Sequence, residues 1–512
     1  MSTINVVLLS ADAKKIALDG IHRCGLSSSS PSRSTSRRDE EPVNVLLIIS
    51  EDNGQHLGCY GDPNIATPHI DRLASEGVRF ENAHTTQAVC SPGRASIFTG
   101  LYPHQCGQIG LATHNYAQYE AFPNLFSLLK EHGLRTGLIG KLHVNPESDF
   151  PMDMWWNDPQ FISFSNRDVR KMAQVADAFI TESADPFFLT VAYPDAHLPL
   201  LRQQCGIPEV PYEAGDVTVL PQVEVDSPRL RQHTADYYNC MSRLDTAVGL
   251  LLDALDRSGK AEDTLVIFTT DHGAQFSRGK ACCYEGGLRV PHIVRWPGVS
   301  ATGTVREELV SHVDILPSIT DALGLPTPKG AGRSQVPLWK GETTSHWRTH
   351  VCAEWTGANP PCYYPQRSIR SARYKLIVNY LADRSNPNAM LYSGPGQLWE
   401  PGATVEEIAA SADHVQSAYA TFLNPPKEEL YDLDADPWEF DNRINDTALA
   451  RVLGELRSEL AVWQKQTDDR IVDPPVLARL TAEHDALSAS HYAESAWGSS
   501  RDFEWTYADY LY

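Results

Sequence analysis

Four short apolar runs punctuate the first half of the chain: Val43-Asn-Val-Leu-Leu-Ile-Ile-Ser50, Thr136-Gly-Leu-Ile-Gly140, Phe187-Phe-Leu-Thr-Val-Ala-Tyr193 and Leu265-Val-Ile-Phe-Thr-Thr270. They are continuous rather than alternating and rich in β-branched residues, which predicts strands buried on both faces. Helical periodicity fills the gaps. Thr67-Pro68 reads as an N-cap and first helical position, Ile70 and Leu73 follow on one face, and Gly77 closes the element. Pro123 to His132 ends at Gly133 in the same way. The longest helix is predicted from about Thr234 to Arg257, with Met241, Leu244, Val248, Leu251, Leu252 and Leu255 on one stripe. Buried strands alternating with amphipathic helices predict an α/β fold, a sheet covered by helices on both sides.

The polar positions that follow these strands carry the chemistry. The first runs into Glu51-Asp52, the second into Lys141-Leu-His143, the third into Asp195-Ala-His197 and the fourth into Asp271-His272. Ligands of such sheets bind beyond the carboxyl ends of the strands, where these residues are expected. After about residue 345 the pattern changes to a hairpin over Arg367–Val378, a short strand at Glu429–Leu433 and a helix over Ala450–Trp463 with Leu453, Leu456 and Leu460 on one face. We therefore expect a catalytic domain over 43–345, a smaller α+β domain over 346–475, a tail over 476–512 and a disordered N-terminal tail over 1–42, Ser/Arg-rich at 27–38.

Composition narrows the function. Of 512 residues, 42% are hydrophobic and 21% charged, a globular balance. Lys+Arg is 43 against Asp+Glu at 65, and the net charge of −22 argues against a nucleic-acid or anionic-membrane surface. An anionic small substrate stays compatible, because local cations and a metal reverse the field inside a cleft. No apolar stretch reaches the length of a membrane span, so the chain reads as soluble. Ten scattered cysteines without a CxxC pair leave the redox compartment open. Asp12, Lys14 and Lys15 break the apolar run Ile4–Leu9, and Arg37-Arg38 is followed by Asp-Glu-Glu, so neither a signal peptide nor a twin-arginine pattern is matched. As encoded, the expected location is cytoplasmic. No pattern specifies an oligomeric state.

Glu51-Asp52 and Asp271-His272 converging at one sheet edge would repel unless a cation lay between them. Hard oxygen ligands with one imidazole suit Ca²⁺ or Mg²⁺. Cys90-Ser91-Pro92-Gly93-Arg94 places Cys90 at a helix start, where the dipole favours anions and a reactive sulfur. Lys141 and His143, two apart on extended backbone, point to one side. With His197 and Lys280 they would supply cations for an oxyanion and an imidazole for proton transfer. On pattern alone the alternatives stay open: capping carboxylates, a structural cysteine and solvated loop residues.

Cys90-Ser-Pro-Gly-Arg94 with Ala-Ser-Ile-Phe-Thr-Gly100 resembles the C-x-P-x-R signature of the type I, formylglycine-dependent sulfatases of the alkaline phosphatase-like superfamily. Glu285-Gly-Gly-Leu-Arg-Val-Pro291, Ile293-Val-Arg-Trp-Pro297 and Glu429-Leu-Tyr-Asp-Leu-Asp-Ala-Asp-Pro437 resemble downstream segments of that family. The resemblance spans about residues 43–470 and implies a large, mixed, mostly parallel sheet sandwiched by helices. It implies that Cys90 is oxidised to formylglycine by a maturation enzyme, that Glu51, Asp52, Asp271 and His272 bind the metal, usually Ca²⁺ and less often Mg²⁺, and that Arg94 holds the hydrated aldehyde. Lys141 and Lys280 would bind sulfate oxygens, His143 would assist the hydrate, and His197 would protonate the leaving group. It also implies a compartment outside the cytoplasm, whether periplasmic, lysosomal or secreted.

Three positions depart from the family pattern. Glu51 stands where Asp is usual, His272 where Asn is common, and Gly93 where Ser or Ala is more frequent. Gly140–Asp153, Tyr364–Arg370 and Leu453–Trp463 are similar to the N-sulfoglucosamine sulfohydrolase (sulfamidase) branch. The expected activity is hydrolysis of a sulfate ester or sulfamate on a sulfated, heparan-type sugar. The rivals are a phosphate or phosphonate ester hydrolase of the same superfamily and a non-catalytic glycan-binding relative.

Overall fold

Val45 to Ile49 have no exposed surface at all, and the reason is a central position between two parallel neighbours. In the computed structural model, which describes residues 44–394, 397–497 and 501–512, strand Asn44–Ser50 pairs with Phe187–Ala192 on one side and Thr264–Thr270 on the other. Arg135–Gly140 pairs with Phe187–Ala192, again parallel. The eight-stranded sheet runs in the order Thr304–Arg306, Val78–Phe80, His292–Arg295, Thr264–Thr270, Asn44–Ser50, Phe187–Ala192, Arg135–Gly140, Met154–Trp156. Only His292–Arg295 runs antiparallel to its neighbours. The N-terminal expectations for 1–42 lie outside the described residues.

Period-two alternation distributes each strand between two cores. Leu46 and Ile48, with Leu189, Val191, Val266 and Phe268, pack on helices Val169–Glu182 and Pro228–Arg257. Val45, Leu47 and Ile49, with Phe188, Leu265 and Ile267, pack on Ile97, Phe98, Phe126, Leu129 and Ile319 of the opposite helices. The sheet is therefore sandwiched. No helix among the described residues is long and apolar enough to cross a membrane.

The C-terminal region forms a four-stranded antiparallel sheet, Val351–Trp355, Gln366–Arg370, Tyr374–Asn379 and Glu428–Asp432. Cys352, Ile369, Leu376 and Leu430 cover Leu456 and Leu460 of helix Ala450–Gln466. The other face, with Trp355, Ile377 and Tyr431, joins a core containing Cys90, Cys283 and Tyr284 of the first region. The described residues accordingly pack as one unit. A buried ionic junction joins the two sheets: Glu285 accepts from Arg370 at 2.5 Å and Lys375 at 3.0 Å, and Lys375 also pairs with Glu439 at 2.7 Å. The segment expected as a tail after 475 is ordered into helix Pro474–His491. Leu480, His484 and, further on, Tyr507 are buried there, because their apolar faces cover the aromatic core around Tyr116 and Tyr363.

Candidate active site

Three mutually parallel neighbours of one sheet, with the fourth beside them, point their carboxyl ends at the same edge. Topology alone thus brings Glu51, Asp52, Lys141, His143, His197, Asp271 and His272 to that edge. Local backbone turns them inward. Asp52 and His143 both adopt the left-handed region, at φ 50° and 60°, which a non-glycine residue enters at a cost of ~1–3 kcal/mol. Opposite them starts helix Cys90–Thr99, all of whose residues are buried and whose N-cap, Val89, offers no capping side chain. The positive end of that helix is left facing the cluster.

Cys90 sits at its centre. The Sγ lies 3.5 Å from His272 Nε2, 3.7 Å from Lys280 Nζ and 3.9 Å from Asp52 Oδ1. Burial by itself would raise this thiol, but Lys141 and Lys280, with His143 and His197, outweigh it and hold it well below the ordinary thiol value. Lys280 donates to Asp52 Oδ2 at 2.8 Å, which favours the Asp52 carboxylate against the penalty of burial. His143 is half-buried beside Cys90, and desolvation with the Lys141 charge lowers it to about 4 although Cys90 pulls the other way. The imidazole thus faces the sulfur, with its neutral form favoured.

Asp52, Cys90, Asp271 and His272 each offer a ligand atom within 4.8 Å of the others. Gly273 O accepts from His272 Nδ1 at 2.9 Å, so Nε2 faces the group, and Asp271 Oδ1 is steered by the Asp52 and His272 amides at 3.2 and 2.9 Å. Burial, with the Cys90 and Glu51 charges, pushes Asp271 up to about 6 although His272 and Arg94 oppose it. This donor set fits a hard divalent cation, whose charge would relieve that excess of anions. Glu51 stands at the rim of the set: its Oε1 accepts from Arg94 at 2.8 Å and Lys141 at 2.9 Å. Arg94 links the halves by also donating to Asp271 Oδ2 at 3.2 Å and to Lys141 O at 2.8 Å.

All ten residues singled out in the sequence meet here. Others were missed. Gln275 sits between Asp52 Oδ2, 2.7 Å from its amide nitrogen, and Trp399 Nε1, which donates to its oxygen at 3.2 Å. Asp195, buried at the same strand end as His197, accepts from Arg167 and Arg243. Asp195 was visible as a polar residue at a strand end, whereas single residues such as Gln275, Arg167 and Arg243 carry no pattern that would mark them. Gly93 also finds its reason, since a Cβ there would lie 2.6 Å from Asp271 O.

Comparison with known proteins gives consistent results. The sulfatase family profile matches residues 43–325, and the profile described as N-sulphoglucosamine sulphohydrolase, C-terminal, matches residues 274–391. Human N-sulphoglucosamine sulphohydrolase is 32% identical over 474 residues, covering 85% of this chain and 92% of its own. Among solved structures, one in complex with its substrate D-glucosamine-2-N,6-O-disulfate superposes with a TM-score of 0.62 at 19% identity, covering 85% of this chain and 99% of that one. The phosphonate monoester hydrolase of Agrobacterium radiobacter superposes with a TM-score of 0.63 at 19% identity, covering 83% and 96%. At such identity these two structures speak to the fold.

Proposed function

The chain belongs to the sulfatase family, and from that premise we propose that it hydrolyses the sulfate of a sulfated sugar, with N-sulfoglucosamine of a heparan-type glycan as the preferred substrate class. The observation that carries the reading is Cys90: a buried sulfur at an uncapped helix start, held down by two lysines and facing two imidazoles. Kinship with the human sulfohydrolase along nearly the whole chain supports the sugar and the S–N bond. The fold is shared with a phosphonate hydrolase, so the fold does not choose between sulfate and phosphonate; the sequence relationship favours sulfate.

Cys90 is the residue we assign to oxidation by a formylglycine-generating enzyme, which supplies a hydrated aldehyde as nucleophile. A divalent ion held by Asp52, Asp271 and His272, with Glu51 from the rim, would neutralise sulfuryl oxygens; we assign calcium on the hardness of the donors. The remaining roles belong to the chain itself. Lys141 and Lys280 are poised as fixed positive charges for the equatorial oxygens of the transferring group, worth more in this dry site than in water. Arg94, anchored to both Glu51 and Asp271, orients the position-90 side chain. His143, beside position 90 and held toward its neutral form, accepts a proton from the position-90 hydroxyl so that sulfate can leave. His197 donates from Nδ1 to Leu198 O at 2.6 Å, which leaves Nε2 for the substrate; as an imidazolium it would give its Nε2 proton to the departing oxygen or nitrogen.

Mass spectrometry of the tryptic peptide Phe80–Arg94 from protein made in its native host tests the reading, together with turnover of N-sulfoglucosamine and of the corresponding O-sulfates. A formylglycine mass at position 90 and release of sulfate are expected. Matured protein that cleaves phosphonate esters and leaves every sulfate intact would overturn it.

A further inference from the structure

The backbone around His197 is gripped by buried charges that the chemistry above does not use. Asp195 is fully buried and lies between two guanidiniums: Arg167 Nη1 donates to its Oδ1 at 2.6 Å, and Arg243 Nε donates to its Oδ2 at 2.9 Å. Although burial would raise Asp195, the two arginines hold it below the ordinary carboxylate value. Both arginines also reach Cys240 Sγ, Arg167 Nη1 at 3.7 Å and Arg243 Nη2 at 3.3 Å, and further donors go to backbone oxygens. Arg167 Nη2 donates to His197 O at 2.5 Å and Pro199 O at 3.0 Å, and Arg243 Nη1 to Leu201 O at 2.9 Å. On its other side the same segment is tied to the Glu51 loop, through Glu51 N to Asp195 O at 3.1 Å and Ala196 N to Glu51 O at 2.6 Å.

Arg167 reaches this position from a tight turn. Ile162 and Arg167 form an isolated antiparallel bridge, Ser163 N donates to Asn166 O at 2.7 Å, and Asp168 then caps helix Val169–Glu182 by accepting from Lys171 N. The tip of this turn carries Phe164. Its ring lies 4.8 Å from the His197 imidazole at 32°, while 58% of the residue remains exposed. One turn therefore holds His197 twice, by the backbone through Arg167 and by the ring face through Phe164.

We infer that Arg167 and Phe164, locked by Asp195 and Arg243, are positioning residues that aim His197 at the leaving group. This rests on the sulfatase reading above. In the step concerned, the ionised hydrate oxygen at position 90 bonds to sulfur, the S–N or S–O bond breaks with its electron pair going to the departing atom, and the Nε2 proton of the His197 imidazolium goes to that atom, leaving the neutral ring protonated at Nδ1. The demand for the proton grows with the basicity of the leaving group. A misaimed acid therefore penalises poor leaving groups and spares good ones, whereas a general loss of structure penalises both.

The test compares matured wild type with Arg167→Lys and Phe164→Ala on N-sulfoglucosamine and on para-nitrophenyl sulfamate, whose leaving amine is only weakly basic. General acids contribute ~10²–10⁴-fold, so Arg167→Lys should lower kcat on the sugar by about 100-fold. KM should be unchanged, and the aryl substrate should change by less than about threefold. Phe164→Ala, at an exposed position that does not threaten the fold, should lower kcat on the sugar alone by about 10-fold, and Phe164→Tyr should restore it. Equal losses on both substrates, a rise in KM without a fall in kcat, or no change would overturn the inference while leaving the sulfatase reading in place. A matured wild type that turns over neither substrate would sink the reading, and the inference with it.

Discussion

Replacing Glu285 by alanine tests the junction that binds the C-terminal sheet to the catalytic one. The carboxylate is 3% exposed and lies between Arg370 and Lys375, themselves 7% and 1% exposed, with His84 Nε2 at 3.2 Å. Removing it takes the carboxylate from Arg370 and leaves Lys375 with Glu439. Breaking a buried ion pair by deleting one partner costs about 3–5 kcal/mol, because the other charge stays desolvated. With an unfolding entropy of about 2.1 cal/mol/K per residue over a unit of roughly 470 residues, 1 kcal/mol corresponds to about 1 °C, so Tm should fall by about 3–5 °C. The deficit should also depend on pH. Burial, with the charge of Glu285, raises Glu439 to about 7 against the pull of Lys375. A raised carboxyl contributes stability that is present below its ordinary value of 4.5 and lost as pH rises through about 7. Without the Glu285 charge that shift shrinks, so the variant's deficit should be larger near pH ~5 than near pH ~8. Scanning calorimetry at both pH values checks this. A Tm difference below about 1 °C at both, or a deficit that grows with pH, would refute the reasoning.

Three further outcomes are expected. Gly93→Ala introduces a Cβ 2.6 Å from Asp271 O and 3.1 Å from Thr85 Oγ1. Helix Cys90–Thr99 and the Asp271 turn must separate by several tenths of an ångström, and kcat/KM should drop by up to ~100-fold in protein whose position-90 modification is verified by mass; a change within twofold would show that the site absorbs the methyl group. Chelation should lower Tm by about 3 °C, taking ~2.7 kcal/mol for an ion at one hundred times its Kd, with calcium restoring it better than magnesium; a Tm and activity indifferent to chelator would remove the metal from the site. Cys90→Ala should abolish turnover while leaving the far-ultraviolet circular dichroism unchanged, and near-normal turnover would dismiss position 90 as the nucleophile.

Much of this site was legible in the chain, for a reason that the strands make plain. Val43–Ser50 and Leu265–Thr270 are continuous apolar runs, so they had to be central strands. Once central and parallel, their ends, Glu51-Asp52 and Asp271-His272, had to meet. The four departures from expectation have physical causes of another kind. The helix Pro474–His491 was read as a tail because its apolar residues are few and spread, and they find partners only in the aromatic core around Tyr116. The two expected domains pack as one unit because Glu285 and Arg370, 85 residues apart, neutralise each other in a place no local pattern predicts. Glu51, expected with Asp52 among the metal ligands, also pairs through its Oε1 with Arg94 and Lys141, partners that lie far along the chain. Asp195 gave no hint of its role, since its partners Arg167 and Arg243 lie on a turn and in the middle of a long helix.

Hydrophobic periodicity and the residues that follow the strands determined, by themselves, the α/β sandwich, the edge at which the candidate site lies and seven of the ten groups assembled there, Cys90, Arg94 and Lys280 coming from a helix and a loop. Those are consequences of short-range rules: alternation, helix spacing and the direction of parallel strands. What the tertiary structure alone decided was the state of those groups. The depressed Cys90 thiol, the lowered His143 imidazole and the raised Asp271 each arise from burial combined with charges brought from distant parts of the chain. Desolvation and Coulomb interaction depend on distance in space, and distance in space is what a linear pattern does not contain.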